Sequence, residues 1–348
     1  MDGIVIDSLS LKNPIHRQAV SDFLEAAGLA LDADVDHTVA AYEGPRLVGT
    51  CSKAGSVIKC LAVVPEHRGE GLSGRLVQAV MDRLFEEGRP HYFVFTQPHN
   101  TCLFQSLGFG LLYRGTRAAL LEGGITDIRQ QLHGLKTAAG LSEATGRGAL
   151  VMNCNPFTLG HQHLIAYAAQ RCQEVLVFVV EEDRSLFRFR DRLEMVRRGT
   201  AHLPGVTVLP GTEYIISEKT FPSYFLRQAD ERTQGYMELD AGIFSRWFAP
   251  AFGIGTRFVG EEPYCGVTRS YNGTLRQVLT AEGLRLTEIP RLALAGEAVS
   301  ASRVRTLLRE GRPAEAEALV PASTWQYLTK TEAGREAVTR VSSTLSPH

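Results

Sequence analysis

A chain of 348 residues with 44% apolar side chains is long enough for two domains, each burying its own core. Its 37 lysines and arginines stand against 38 acidic residues with no sustained like-charge run, which excludes a disordered chain and offers no polyanion surface, so nucleic acid is not an expected partner. The six cysteines are widely spaced and read as reduced, mostly buried thiols; Asp2 and Asp7 stand where a signal peptide carries basic residues, and no stretch approaches the roughly 18 apolar residues of a membrane span, so a cytoplasmic protein with no membrane partner is expected.

Residues 14–27 are predicted helical, and residues 38–42 and 46–50 form a hairpin around Glu43-Gly44-Pro45. A third strand over 58–64 stops at Pro65. The helix that follows, 72–85, places Leu72, Leu76, Val80 and Leu84 on one face, and a strand over 91–96 comes directly after it. Strands and helices at unequal intervals predict an α+β domain over 1–122. Glycines at 123–124 and a Gly- and Thr-rich stretch at 137–148 flank a short amphipathic segment, which places a linker at 123–147.

The pattern changes after the linker. Residues 149–154 form a continuous apolar strand, 161–172 a helix, 175–180 a second strand and 191–203 a second helix. This alternation predicts a Rossmann-like parallel α/β domain over 148–330. Strands at 206–209, 257–259 and 285–289, with helices near 223–232, 237–248 and 270–282, complete it, and 331–348 reads as a polar, frayed tail.

In open α/β sheets the first strand-to-helix turn is the usual phosphate site. Here that turn is Asn153-Cys154-Asn155-Pro156-Phe157-Thr158-Leu159-Gly160-His161. Gly160 lets backbone come close to a bound group, the helix start offers N–H groups, and Thr158 and His161 add side-chain donors, a combination suited to an anion.

Thr158-Leu159-Gly160-His161 resembles the T-x-G-H form of the nucleotidyltransferase superfamily signature, and Val299-Ser300-Ala301-Ser302-Arg303-Val304-Arg305 resembles its second signature, a hydroxyl-rich turn opening a late helix. The two lie about 140 residues apart in the expected order. An ordinary turn and a plain N-cap serine are the alternative reading. The resemblance implies an ATP site using Asn155, Phe157, Gly160, Arg192, Gly260, Glu261, Ser300 and Ser302, with Thr158, His161 and Arg305 catalytic and Mg²⁺ on the leaving phosphates; no metal cage is visible in the sequence. Such a site needs no protein nucleophile: a substrate oxygen attacks the α-phosphorus while the chain orients the reactants and stabilises charge. Phe187-Arg188-Phe189-Arg190-Asp191-Arg192 adds a basic cluster, for which a solvated helix start is the alternative.

Thr220-Phe221-Pro222-Ser223-Tyr224-Phe225 and Gly260-Glu261-Glu262-Pro263-Tyr264-Cys265-Gly266-Val267-Thr268-Arg269-Ser270-Tyr271-Asn272 resemble the matching stretches of the citrate (pro-3S)-lyase ligase family. That resemblance implies an acid–thiol ligase. It would join acetate to the thiol of the dephospho-CoA-derived prosthetic group on the citrate lyase acyl carrier subunit, using ATP and releasing AMP and pyrophosphate. In the first half, Arg68-Gly69-Glu70-Gly71-Leu72-Ser73 resembles the Q/R-x-x-G-x-G/A turn of GNAT acetyltransferases, with Ser73 in place of the last small residue, and residues 100–109 resemble the later GNAT segment ending in G-F. It implies a GNAT-like fold over roughly a third of the chain, in which Arg68, Gly69 and Gly71 hold a CoA-like arm. A domain kept for docking or stability is the alternative, and Glu66 and His67 are candidate bases by position only. A nucleotide adenylyltransferase acting on phosphopantetheine or nicotinamide mononucleotide, and a nucleotide sensor without turnover, are the competing functions.

Overall fold

The computed structural model describes residues 3–181, 185–215, 224–226, 229–261 and 266–343, without the side chains of 229–230 and 266–270. Thr220, Phe221, Pro222, Ser223, Glu262, Pro263, Tyr264 and Cys265 therefore lie outside the described residues. Two compact units emerge: residues 1–131 with 218–239, and residues 132–217 with 240–348. The sequence offers no sign that a segment from the second half belongs with the first.

The first unit carries β1 (Ile4–Leu9), α1 (Pro14–Ala26), β2 (His37–Glu43), β3 (Arg46–Ala54), β4 (Val57–Val63), α2 (Leu72–Glu86), β5 (His91–Thr96), α3 (Thr101–Ser106), β6 (Gly110–Arg114) and β7 (Ala119–Gly124). Its seven strands run β1-β2-β3-β4-β5-β7-β6. Neighbours are antiparallel except β4 and β5, which pair in parallel only at Val57 with Phe93 and Ile58 with Val94. Beyond those two pairs the strands part. The expected face of α2 is buried, with Leu72, Leu76, Val77, Val80 and Leu84 packed on Val39, Val48, Val94 and Leu121. Each such side chain contributes on the order of 1.5–3 kcal/mol. Strands β1, β6 and β7 go beyond the sequence reading: the glycines at 123–124 end β7 rather than opening a loop.

After α4 (Ile128–Ala138) come β8 (Arg147–Met152), α5 (Leu159–Ala169), β9 (Val175–Val179), α6 (Phe189–Thr200) and β10 (Val206–Pro210). They are followed by α7 (Ala229–Ile243), α8 (Ala249–Phe252), β11 (Ile254–Gly260), α9 (Gly266–Ala281) and β12 (Arg285–Ile289). The two helices predicted near 223–232 and 237–248 are thus largely one. A two-strand ribbon of β13 (Ala293–Leu294) and β14 (Glu297–Ala298) precedes α10 (Ala301–Arg309), α11 (Pro313–Glu317), α12 (Ala322–Lys330) and α13 (Glu332–Ser343). The last helix corrects the expected frayed tail: Gly334, Ala337 and Val341 are buried, giving it an apolar stripe at helical spacing.

The five-strand sheet of the second unit runs β10-β9-β8-β11-β12 and is parallel throughout, as the alternating pattern predicts. Every residue of β9 is buried, the mark of a central parallel strand. Among the described cysteines, Cys51, Cys60 and Cys154 are buried thiols, Cys172 is partly buried and Cys102 is exposed.

Gly253 sets the entry to β11. It ends α8 at φ 64°, its carbonyl accepts from Arg147 N at 3.0 Å, and a Cβ there would stand 1.7 Å from the Ala144 oxygen. Gly253→Ala is expected to destabilise by about 3 kcal/mol through strain and overlap. Denaturant melts of the two proteins check this; an unchanged midpoint refutes it.

Candidate functional site

Strand order reverses at β8, with β9 on one side and β11 on the other. Connections leaving the two neighbouring strands diverge there and open a crevice at the carboxyl ends. The predicted motif leaves β8 at this point, and Gly260 and Glu261 leave β11 beside it.

Thr158 forms the N-cap of α5 in extended conformation, and His161 completes a capping box. The Thr158 Oγ1 accepts from His161 N at 3.4 Å, while His161 Nδ1 accepts from Thr158 N at 3.0 Å. A backbone N–H can only donate, so Nδ1 bears no proton and the imidazole hydrogen resides on Nε2. His161 is therefore a neutral donor. The fully buried Phe157 ring stacks beneath it at 5.9 Å between centroids, and Gln162 Nε2 ties α5 to the Gly199 carbonyl at 2.7 Å. Gly199 is small because Phe157 fills its space: a Cβ would stand 2.3 Å from the ring.

Burial, and then the nearby Arg291 charge, push the His161 pKa down from 6.5 to about 4. In the unfolded chain the ring titrates near 6.5, so as pH falls the unfolded state takes up the proton first. This site's stabilisation is complete above 6.5 and is lost as pH falls from there toward about 4. Activity should accordingly show no His161-borne loss from pH about 8 down to about 5.5. Ring ¹⁵N spectra over that range check it, and a midpoint near neutrality would contradict the neutral ring.

The two signatures meet. A Cβ on Gly160 would stand 3.0 Å from the Val299 carbonyl oxygen, so the 299–300 backbone passes directly over the turn. Ser300 caps α10 by accepting from Arg303 N at 3.2 Å. Arg305, buried on the same helix, donates to the Asn155 carbonyl at 2.6 Å and to Ser302 Oγ at 3.2 Å. Asn155 in turn accepts from Phe187 N at 3.0 Å.

Several nominated residues act from below the surface. Arg192 has no exposed surface; it donates to the carbonyls of Phe187, Asn153 and Val180 and to Asn153 Oδ1, all at 2.8–3.0 Å. It gathers the ends of β8 and β9 and the start of α6. Arg188 and Arg190 line a different cleft, about 290 Å³, with Asp191, Glu336 and Arg340. Asn155, Phe157, Thr158 and Arg305 are likewise buried, leaving His161, Gly160, Ser300, Ser302 and Glu261 nearer the surface. Glu261 is fixed by its backbone: its N donates to Ile289 O at 2.9 Å, and its carbonyl accepts from Arg291 Nε at 2.9 Å. Asn272 Nδ2 holds the Gly260 carbonyl at 3.1 Å. Arg291, Gln162 and Gly199 carry no short motif, so sequence reasoning passed over them, whereas Asn272 closes the 260–272 stretch that resembles the ligase family. Among the described residues no cluster of three or more His, Cys, Asp or Glu is placed to hold a metal.

In the first unit, the parting of β4 and β5 opens a cleft of about 460 Å³ lined by Leu61, Ala62, Val63, Arg68, Gly69, Ser73, Thr96, Gln97 and Asn100, together with Tyr224 and Phe225. Gly69 and Gly71 take positive φ, 83° and 79°, which turns the chain into α2 without side-chain penalty. The Tyr224 hydroxyl donates to the Phe95 carbonyl, and its own carbonyl accepts from Ala30 N at 2.8 Å. Neither Glu66 nor His67 lines the cleft: Glu66 pairs with Arg46, and His67 with Glu70 at 2.8 Å.

Residues 147–328 match the family model for the citrate lyase ligase C-terminal domain, and residues 44–118 match that of FR47-like proteins. The chain is 39% identical to the citrate (pro-3S)-lyase ligase of Klebsiella pneumoniae over 91% of this chain and 94% of that protein. With the Escherichia coli (strain K12) citrate (pro-3S)-lyase ligase it shares 37% over 89% of each. A shorter match, 45% over 16% of this chain and 35% of the relative, is to a phosphopantetheine adenylyltransferase of Symbiobacterium thermophilum. Among solved structures, a Streptococcus agalactiae acetyltransferase aligns with 36% of this chain and all of its own at 14% identity and TM-score 0.31. No helix among the described residues is long and apolar enough to cross a membrane.

Proposed function

This chain belongs to the citrate lyase ligase family, and from that premise we propose that it acetylates the prosthetic-group thiol of the citrate lyase acyl carrier subunit at the expense of ATP. The observation that carries the adenylating half is the meeting of the two signatures at the strand-order reversal, Gly160 under Val299 and Arg305 on Asn155.

The chemistry follows from what those residues offer. An acetate oxygen attacks the α-phosphorus of ATP, the bond from that phosphorus to the bridging oxygen breaks, and pyrophosphate leaves with the electron pair. No side chain needs to be acylated. His161 supplies Nε2–H to the phosphate oxygens without having to lose or gain a proton, because its Nδ1 is committed to the Thr158 N–H. The α5 start and the Gly160 backbone present N–H groups to the same charge. Arg305, Arg192 and the Phe157 ring keep the loop carrying those donors in one geometry. In the second half the thiolate of the carrier's arm attacks the acetyl carbon of the acetyl-adenylate, the bond from carbon to the phosphate oxygen breaks, and AMP leaves with that pair. Magnesium would be carried on the phosphates of the nucleotide and would offset charge on the leaving pyrophosphate; among the described residues no cluster of three or more His, Cys, Asp or Glu is placed to hold it.

For the first unit, we assign the β4–β5 cleft to the arm, its diphosphate at Arg68, Gly69 and the Gly71-shaped start of α2. The unit then binds rather than transfers, in keeping with Glu66 and His67 lying outside the cleft. A cytoplasmic location, where ATP and the carrier meet, goes with this reading.

Purified protein incubated with ATP and acetate should release pyrophosphate and, with hydroxylamine, give acetyl hydroxamate. It should also acetylate deacetylated citrate lyase. Pyrophosphate release that requires phosphopantetheine instead of acetate would replace this reading by the adenylyltransferase one.

A further inference from the structure

The reaction needs positive charge beside the α-phosphate as pyrophosphate leaves, yet two of the arginines nominated for phosphate work serve backbone carbonyls: Arg192 holds three and Arg305 holds Asn155. The basic cluster at Arg188 and Arg190 lines another cleft, and Arg303 is paired with Glu297. Arg291 follows β12 by two residues, on the same carboxyl edge of the sheet as the phosphate turn. The next residue, Leu292, accepts through its carbonyl from Val299 N at 3.0 Å, and the Val299 carbonyl is the atom packed over Gly160. Residues 292, 299 and 160 thus form a contiguous stack, and Arg291 sits at its edge.

From this placement we propose that Arg291 is a further catalytic residue of adenylate formation, its guanidinium contacting the α-phosphate oxygens from the side opposite the α5 start. The inference rests on the ligase reading above. Three features make the side chain suitable. Its Nε is anchored on the Glu261 carbonyl at 2.9 Å, which fixes the plane of the planar fork. Because Glu261 N is itself bonded to Ile289 O, the anchor is part of the sheet edge rather than a mobile loop. The Leu292–Val299 bond and the Val299 carbonyl over Gly160 set residue 291 beside the turn that carries His161, so one anion there would meet a cation and a neutral donor together. Two cations flanking a phosphate would raise the cost of the empty site. A cation beside a neutral imidazole avoids that cost.

The test is acetate-dependent exchange of labelled pyrophosphate into ATP. Arg291→Ala should lower its kcat by roughly a hundredfold with a smaller change in KM for ATP, the pattern of a contact strongest in the transition state. Arg291→Lys, which keeps the charge and loses the fork, should fall between. Millimolar guanidinium should restore part of the Arg291→Ala rate, which a role confined to anchoring Glu261 would not allow, and thermal melts of both variants report folding. Full exchange in Arg291→Ala, or a loss that guanidinium cannot restore and lysine does not lessen, overturns the proposal while leaving the ligase reading intact. Absence of exchange in the wild type overturns the ligase reading and this inference with it.

Discussion

Replacing His161 with alanine is expected to lower acetate-dependent pyrophosphate release by roughly a hundredfold or more, because one preorganised donor to developing phosphate charge is worth that much. The substitution also removes the acceptor for the Thr158 N–H, so a stability loss of about 1 kcal/mol accompanies it. His161→Gln separates the two effects. Glutamine at this position of a capping box can accept from the Thr158 N–H, so stability should return. Its rotatable amide is a less well fixed donor than the imidazole Nε2–H, so the rate should stay well below that of the wild type. A glutamine variant as active as wild type would show that only the cap matters and would remove His161 from the chemistry.

The second large effect concerns Arg192. Truncation to leucine leaves the carbonyls of Phe187, Asn153 and Val180 without this donor in a region closed to water. A loss of about 3–5 kcal/mol is expected, seen as a drop in melting temperature on the order of 10 °C. The KM for ATP, measured well below that transition, should change little, since the guanidinium faces the protein. The opposite outcome, a normal melt with a greatly raised KM, would put Arg192 in contact with nucleotide.

Arg192 also shows what a sequence can and cannot disclose. That a strand ends at Met152, that a turn with Thr158 and Gly160 opens a helix, and that Ser300 opens another are local matters; residue type and spacing announce them, whereas the approach of one turn to the other is a property of the fold. Direction is another matter. An arginine at the fourth position of α6 carries the same charge whether it meets phosphate or three carbonyls, and only the fold decides. The same blindness hid Arg291, a single arginine after a strand, whose importance comes from the backbone bond between Leu292 and Val299. At the chain end, alternating polar residues concealed the Gly334, Ala337 and Val341 stripe. In the first unit the helical face of α2 was readable, but β1 and β7 gain their identity from partners 30 residues or more away, Glu43 for Ile4 and His91 for Gly124.

Tyr224 reaches its partner Phe95 across 129 positions of chain, and that bond has a practical meaning for anyone dissecting the protein. A protease that nicks the backbone once between α4 and β8 divides the polypeptide but not the first unit, because residues 224–226 arrive with the later fragment and complete the cleft of the earlier one. The two pieces should therefore migrate together on a native gel and separate only in denaturant. An N-terminal piece made alone, ending near residue 131, would expose Thr96, Phe104 and the Phe95 carbonyl where Tyr224 belongs, and would be prone to aggregate.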